Sequence, residues 1–253
     1  SSFQSGMWLG DPFATRFIYT NYLDLGLAYD PAATRVLVVG LGAGSAPKRL
    51  WRDFPYLRVQ AVEIDPAVVR VARRWFALPD DPRLQVAVDD GRRYLQRHDA
   101  TWDVVILDAY YADSLPFHLT TREFLELVRA RLAPDGVVVA NLIGALQGDD
   151  SRLLRSMVKT YRSVFPTVAV HPVYDPPLQT DPQYIRNVIL VATGRPLPAE
   201  SFLSRRWDGI RTRYPDAPQL AKAIRDRWDA EIPTGDVPLL TDDYAPVDAL
   251  LLD

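Results

Sequence analysis

The stretch Arg35-Val36-Leu37-Val38-Val39-Gly40-Leu41-Gly42-Ala43-Gly44 passes within ten residues from an unbroken apolar run to three glycines spaced two apart. A short β-branched run without polar alternation fits a strand buried on both faces, the condition of a parallel sheet covered by helices. Glycine tolerates positive φ and has no Cβ, so the turn Gly40/Gly42/Gly44 lets the backbone come close to a ligand. A helical pattern at 46–53 follows and completes a strand–loop–helix unit, the context in which such a turn reads as a ligand loop rather than a plain tight connection.

Outward from this unit the pattern repeats. Strands are predicted at 59–62, 84–88, 102–107 and 137–142, and helices at 66–76, 91–97, 121–132 and 149–164. Asp65-Pro66 supplies an N-cap and a first-turn proline, and Val69, Val71, Ala72 and Phe76 are expected on the buried side of that helix. Pro134-Asp135-Gly136 is expected to stop the helix at 121–132. Two runs at 168–173 and 188–193 read as an antiparallel pair closing the sheet. The expectation is an α/β, Rossmann-like fold with a mostly parallel seven-stranded sheet and helices on both faces. Residues 1–29 read as a small β region plus helix, 30–195 as the ligand-binding domain, and 196–253 as a helical extension packed on it.

Ligands of such sheets bind beyond the carboxyl ends of the strands. Those positions carry Glu63, Asp90-Gly91 and Asp108 besides the glycine loop. Glu63, 19 residues after Gly44, stands where an acid accepts hydrogen bonds from both ribose hydroxyls; the bland alternative is a solvated helix-entry residue. Asp90 can accept from an adenine amino group, cap the next helix, or do both. Asp108 can orient a cationic ligand and take a proton from an attacking amine, or simply cap its loop. A third acid followed by Gly91 favours an adenosyl sulfonium over a nicotinamide nucleotide.

Taken together these residues resemble the spermidine synthase (polyamine aminopropyltransferase) family, as a divergent, spermidine-synthase-like member. The resemblance is carried by Val36 to Gly44, Val62-Glu63-Ile64-Asp65, Asp90-Gly91, Asp103 to Asp108, Leu132-Ala133-Pro134-Asp135-Gly136-Val137, and upstream by Gln4 and Phe17-Ile18-Tyr19. It implies the class I S-adenosylmethionine-dependent methyltransferase fold, with decarboxylated S-adenosylmethionine or S-adenosylmethionine as co-substrate, no metal, a polyamine or other small amine as acceptor, and a homodimer. It further implies Gln4, Gly40, Gly42 and Gly44 near the donor's tail, Glu63 at the ribose, Asp90 and Gly91 at the adenine, Asp108 at the transferring end and Tyr19 facing the acceptor; Asp113 can stand in for the family's second Asp if its loop bulges. The chain departs from the family at Ala43 and Tyr111, where the family carries Asp, and at Thr20-Asn21, where it carries His-Glu. An Asp at 43 would attract a bare ammonium and repel a carboxylate, so Ala43 keeps a methyltransferase of unknown acceptor open beside the aminopropyltransferase. The missing second Asp keeps a non-catalytic adenosyl-binding homologue open as well.

The composition narrows the rest. With 29 Lys and Arg against 32 Asp and Glu, a basic nucleic-acid surface is not expected. No cysteine means no thiolate nucleophile and no disulfide, and His98, His118 and His171 fit no zinc spacing. No apolar stretch is long enough to span a bilayer, and a cytoplasmic protein is expected. His118 reads as a packed loop histidine, and Trp8, Phe13, Phe17 and Tyr22 as core or dimer surface. Asp242-Asp243 is either a solvated tail or part of a tunnel wall beside Asp108.

Overall fold

The computed structural model describes residues 5–110, 115–174 and 180–251. Gln4, Tyr111 and Asp113 lie outside the described residues. The chain opens with a hairpin of β1 (Met7–Trp8) and β2 (Asp11–Thr15), then two short helices, α1 (Tyr19–Tyr22) and α2 (Leu25–Tyr29). The sheet that follows alternates with helices: β3 (Arg35–Val39), α3 (Ser45–Asp53), β4 (Arg58–Glu63), α4 (Pro66–Trp75), β5 (Leu84–Val88), α5 (Gly91–Arg97) and β6 (Trp102–Leu107). Then come α6 (Arg122–Ala130), β7 (Leu132–Gly144), α7 (Arg152–Val164), β8 (Thr167–Pro172), β9 (Arg186–Thr193), α8 (Glu200–Arg213) and α9 (Ala221–Arg225).

Seven strands form one sheet in the order β5-β4-β3-β6-β7-β9-β8, parallel except where β9 pairs antiparallel with β7 and β8. From β3 the chain winds outward to β5, then returns to lay β6 on β3's other side. The connections therefore diverge above the ends of β3 and β6, and a cleft opens at that switch point.

Side chains of β3 alternate between two cores, as a strand's period of two requires. Val36 and Val38 join Val104, Ile106, Val139 and Ile189 beneath α2, α3, α4 and α8. Leu37 and Val39 join Val105, Leu107, Val138 and Leu190 beneath α5, α6 and α7. Burying each such side chain contributes about 1.5–3 kcal/mol of transfer free energy. Caps set three helix starts: Asp65 Oδ1 accepts from Ala67 N at 2.7 Å, Asp90 Oδ1 from Arg93 N at 2.9 Å, and Thr121 Oγ1 from Phe124 N at 3.2 Å.

Three expectations need correction. Val71 is exposed and Phe76 only half-buried, because α4 meets the sheet along the narrower stripe of Val69 and Ala72. Pro134-Asp135-Gly136 does not follow the helix directly. Helix α6 ends at Ala130, and the tripeptide lies inside β7, where the register with β6 slips between Trp102 and Val104. The helix foreseen at 149–164 begins as a single 3₁₀ turn, Asp149–Ser151, before α7.

Candidate functional site

At the switch point lies a cavity of about 1240 Å³. Its floor is the turn after β3. Gly40 has φ +96°, and a Cβ there would stand 2.3 Å from the carbonyl oxygen of Asp108, so no other residue fits without moving β6. Gly42 has φ +52°, with Ser5 Oγ against the space a side chain would need. Ser5 Oγ in turn accepts from Ala43 N at 3.1 Å, tying the N-terminal segment to the loop. Gly44 precedes α3 and its carbonyl receives Lys48 N at 3.0 Å.

Glu63 ends β4 beside this turn. Its two carboxylate oxygens accept from Leu41 N and Asp65 N, each at 3.0 Å. A carboxylate oxygen has two acceptor directions, so one on each oxygen remains for a vicinal diol. Further along the wall, Asp90 caps α5 and its Oδ2 pairs with His118 Nε2 at 2.7 Å. Desolvation pushes the Asp90 carboxyl up, but hydrogen bonds from Arg93 N and His118 outweigh it, and the group lies below the usual carboxylate range. Gly91 packs against Val39, holding the start of α5 close to the strand it covers.

The other end of the cavity is built on one face of three neighbouring strands. Asp108 follows β6, Asn141 lies on β7, and Asn187 is the second residue of β9. Asp108 Oδ1 accepts from Asn141 Nδ2 at 2.8 Å, and Asn141 Oδ1 accepts from Asn187 Nδ2 at 2.9 Å. Tyr19 Oη reaches Asp108 Oδ2 at 3.5 Å, the edge of hydrogen-bonding range. Tyr110 donates its hydroxyl to the Asn141 carbonyl at 3.0 Å. Desolvation pushes the Asp108 carboxyl up to about 6 against the pull of its bonds from Asn141 and Tyr19. Burial, reinforced by Asp108, pushes both the Tyr19 and the Tyr110 hydroxyls well above the ordinary phenol range.

The structure brings Tyr19, Gly40, Gly42, Glu63, Asp90, Gly91 and Asp108 to one cavity, with Gly44 at the start of α3 behind the loop. His118 corrects its expectation, for it is not simply packed: it lines the cavity and holds Asp90. Phe17 likewise lines the cavity, stacked on Tyr19 at 6.4 Å between ring centroids, rather than serving as core. Asp242 is not part of a tunnel beside Asp108. Arg92 holds it with two bonds of 2.7 and 2.5 Å, and Thr121 donates to it at 2.7 Å. Among the other aromatics, Tyr22 is core, Phe13 stacks on Trp51 at 6.2 Å, and Trp8 is half exposed.

Sequence reasoning missed Asn141, Asn187, Ser5 and Arg16. One signal does mark Asn141: it is the only polar residue in the run Val137-Val138-Val139-Ala140-Asn141-Leu142-Ile143, and a buried amide must find partners. Asn187, just inside a strand that starts after a Pro-rich loop, carries no such mark. Arg16 lines the cavity next to Phe17, its guanidinium 5.7 Å from the Phe17 ring and 4.9 Å from that of Trp8. Among the described residues no group of three or more acids and histidines is arranged to hold a metal ion, and no helix is long and apolar enough to cross a membrane.

Chemically the cavity offers acceptors for a diol and an amino group at one end, and at the other a half-buried carboxyl that desolvation raises to about 6, beside phenols and an amide. The model of the spermine/spermidine synthase domain matches residues 16–192, well over half of the chain. A polyamine aminopropyltransferase of Vibrio vulnificus is 30% identical over 244 residues, covering 92% of this chain and 75% of its own length. Among solved structures, a probable spermidine synthase from Corynebacterium glutamicum superposes with a TM-score of 0.67 at 26% identity, covering 91% of this chain and 86% of its own. The human methyltransferase-like protein 13 in complex with SAH superposes with a TM-score of 0.65 at 27% identity, covering 79% of this chain and 93% of the chain compared.

Proposed function

The chain belongs to the spermine/spermidine synthase family, and from this we propose that its cavity binds decarboxylated S-adenosylmethionine and that the protein transfers the donor's aminopropyl group to an amine of a polyamine. One observation carries the reading. The Asp108 carboxyl, held by Asn141 and Tyr19, and the Glu63 carboxylate, with acceptor capacity left on each oxygen, face one cavity across the glycine turn.

In this reading Glu63 accepts from the ribose hydroxyls and Asp90 from the adenine amino group. Gly40 and Gly42 leave room for the sulfonium and its tail. The amine nitrogen attacks the propyl carbon attached to sulfur. A nitrogen–carbon bond forms, the carbon–sulfur bond breaks, and its electron pair returns to sulfur as neutral methylthioadenosine leaves. The proton displaced from the amine passes to Asp108. The sulfonium is already an activated leaving group, so the protein's work is alignment and proton acceptance. Tyr19 and Asn141 keep the carboxylate aimed, and Tyr110 helps to shape the acceptor end. The same reading takes the protein as a cytoplasmic homodimer, with exposed Trp8 and Leu9 of the first hairpin available for pairing.

The test is incubation with decarboxylated S-adenosylmethionine and putrescine, following methylthioadenosine and the triamine product. Equal release of both is expected. A protein that binds the donor yet releases neither with putrescine or spermidine contradicts the reading.

Arg16 favours a second reading, methyl transfer from S-adenosylmethionine itself. Among the described residues no carboxylate stands within ion-pair distance of this guanidinium, and the neighbouring loop carries Ala43. A cation at the donor's tail attracts a carboxylate and opposes a bare ammonium. Release of S-adenosylhomocysteine from the full cofactor in the same incubation would support this alternative.

A further inference from the structure

We propose that Asn187 is a positioning residue for proton transfer, acting on Asp108 through Asn141. The inference rests on the reading that Asp108 accepts the proton. It starts from the break in the parallel sheet. Because β9 runs antiparallel to β7, the beginning of β9 rather than its end lies at the mouth of the cleft. The register pairs Asn141 with Ile189 and Ile143 with Asn187, so Asn187 is the diagonal neighbour of Asn141 on the same face. On that face the deeper positions Val104, Ile106, Val139, Ile189 and Val191 are all apolar core. The polar set Asp108, Asn141 and Asn187 begins only where the cavity does.

The direction of the hydrogen bonds gives the set its function. An ionised carboxylate only accepts, so Asn141 must turn its NH₂ toward Asp108 and its carbonyl oxygen away. That oxygen meets the Asn187 NH₂ at 2.9 Å, which fixes the Asn141 amide in this orientation and polarises it toward the carboxylate. Without Asn187 the Asn141 amide could turn over and present oxygen to Asp108, favouring the protonated acid that cannot accept from an amine. The titratable groups facing Asp108 among the described residues are the phenols Tyr19, from α1, and Tyr110, just after β6, with Tyr161 of α7 next to Tyr110; all three stay neutral through the range concerned. Against the desolvation that raises the Asp108 carboxyl, Asn141 is the closest donor holding it ionised, with Tyr19 the more distant one, and Asn187 sets the orientation of Asn141.

The experiment is the ionisation of Asp108 in the full chain, read by carboxyl ¹³C NMR with the Asp108→Asn spectrum identifying the signal, alongside the pH dependence of kcat. In Asn187→Ala the midpoint is expected to move upward by about half a pH unit, with the acid limb of kcat following it and KM for the donor unchanged. Asn187→Asp, nearly isosteric, removes the donor and adds a negative charge, and is expected to move it further; it serves if the alanine variant does not fold. An unmoved midpoint in both variants, or a raised KM for the amine with no change in the midpoint, overturns the proposal. Absence of turnover with a midpoint that moves as stated removes the proposed reaction but leaves the coupling intact, so the two failures are distinguishable.

Discussion

Asp108, after β6, and His171, on β8, lie on the same face of the sheet, and burial pushes each toward its neutral form, yet only Asp108 faces a cavity. The His171 imidazole is sealed between β8, α2 and α9, with Nε2 3.0 Å from Tyr29 Oη and Nδ1 2.8 Å from the Ala223 carbonyl. A carbonyl only accepts, so Nδ1 carries the proton and Nε2 accepts from Tyr29. Every polar atom of the ring is used, and burial lowers its pKa to about 4. Asp108 is pushed up to about 6 by the same cause, but it lines the cavity, and its bond from Tyr19 is long at 3.5 Å. A displaced pKa is therefore no sign of function by itself. The sign is a displaced pKa on a group with acceptor capacity left over and space in front of it.

The largest effect that would break this comparison is catalytic. Asp108→Asn keeps the shape and one of the two accepted bonds while removing the proton acceptor. Turnover is expected to fall about 10²–10⁴-fold, with donor binding changed by only a few-fold in calorimetry. If turnover were retained, Asp108 would belong with His171 as a structural group.

Next in size is stability, where the two groups act in opposite senses. His171 has a depressed folded pKa, so its contribution is present above the unfolded value of 6.5 and is lost as pH falls toward 4, a loss of about 3 kcal/mol. Asp108 has a raised folded pKa, so its contribution is present below the unfolded value and is lost as pH rises through about 6. It amounts to about 2 kcal/mol once its partial exposure to the cavity is discounted. In urea titrations from pH 7 to pH 4, Asp108→Asn is expected to lose about 2 kcal/mol more than the unaltered protein. Parallel curves would mean that the Asp108 carboxyl is not shifted.

Smaller effects sharpen the picture at the cavity's two ends. Arg16→Gln is expected to shift the ratio of affinities for the carboxylated and decarboxylated donors about fivefold toward the latter, the size of a partly exposed charge pair. An unchanged ratio would place the donor's tail away from Arg16. His118→Gln is expected to weaken adenosyl binding only two- to threefold, since Arg93 N still holds Asp90. A loss as large as that of a group contacting the ligand would assign His118 itself to the adenine.

Much of the fold was legible because its signals are local. The run Val36 to Val39 and the Asp65-Pro66 start each depend on a few adjacent residues, and each element stands where those residues imply. The glycines and acids were legible for the same reason, as they terminate strands. The polar set behind Asp108 was not. Asn141 and Asn187 are 46 positions apart and meet only because β9 enters the sheet antiparallel beside β7. Asp242 misled for the converse reason: its partner Arg92 lies 150 positions away, and nothing local announces that the charge is already neutralised. Val71 misled because amphipathic spacing tells which side of α4 turns inward, not how wide a stripe the sheet covers.

Calorimetric titration with methylthioadenosine, on the unaltered protein and on Glu63→Ala, tests most directly the claim that this cavity holds an adenosyl group by its ribose. One-to-one binding that falls at least tenfold in the variant is the predicted result, the cost of losing hydrogen bonds to a charged acceptor. No binding to the unaltered protein, or binding that Glu63→Ala leaves untouched, would contradict the account of the site.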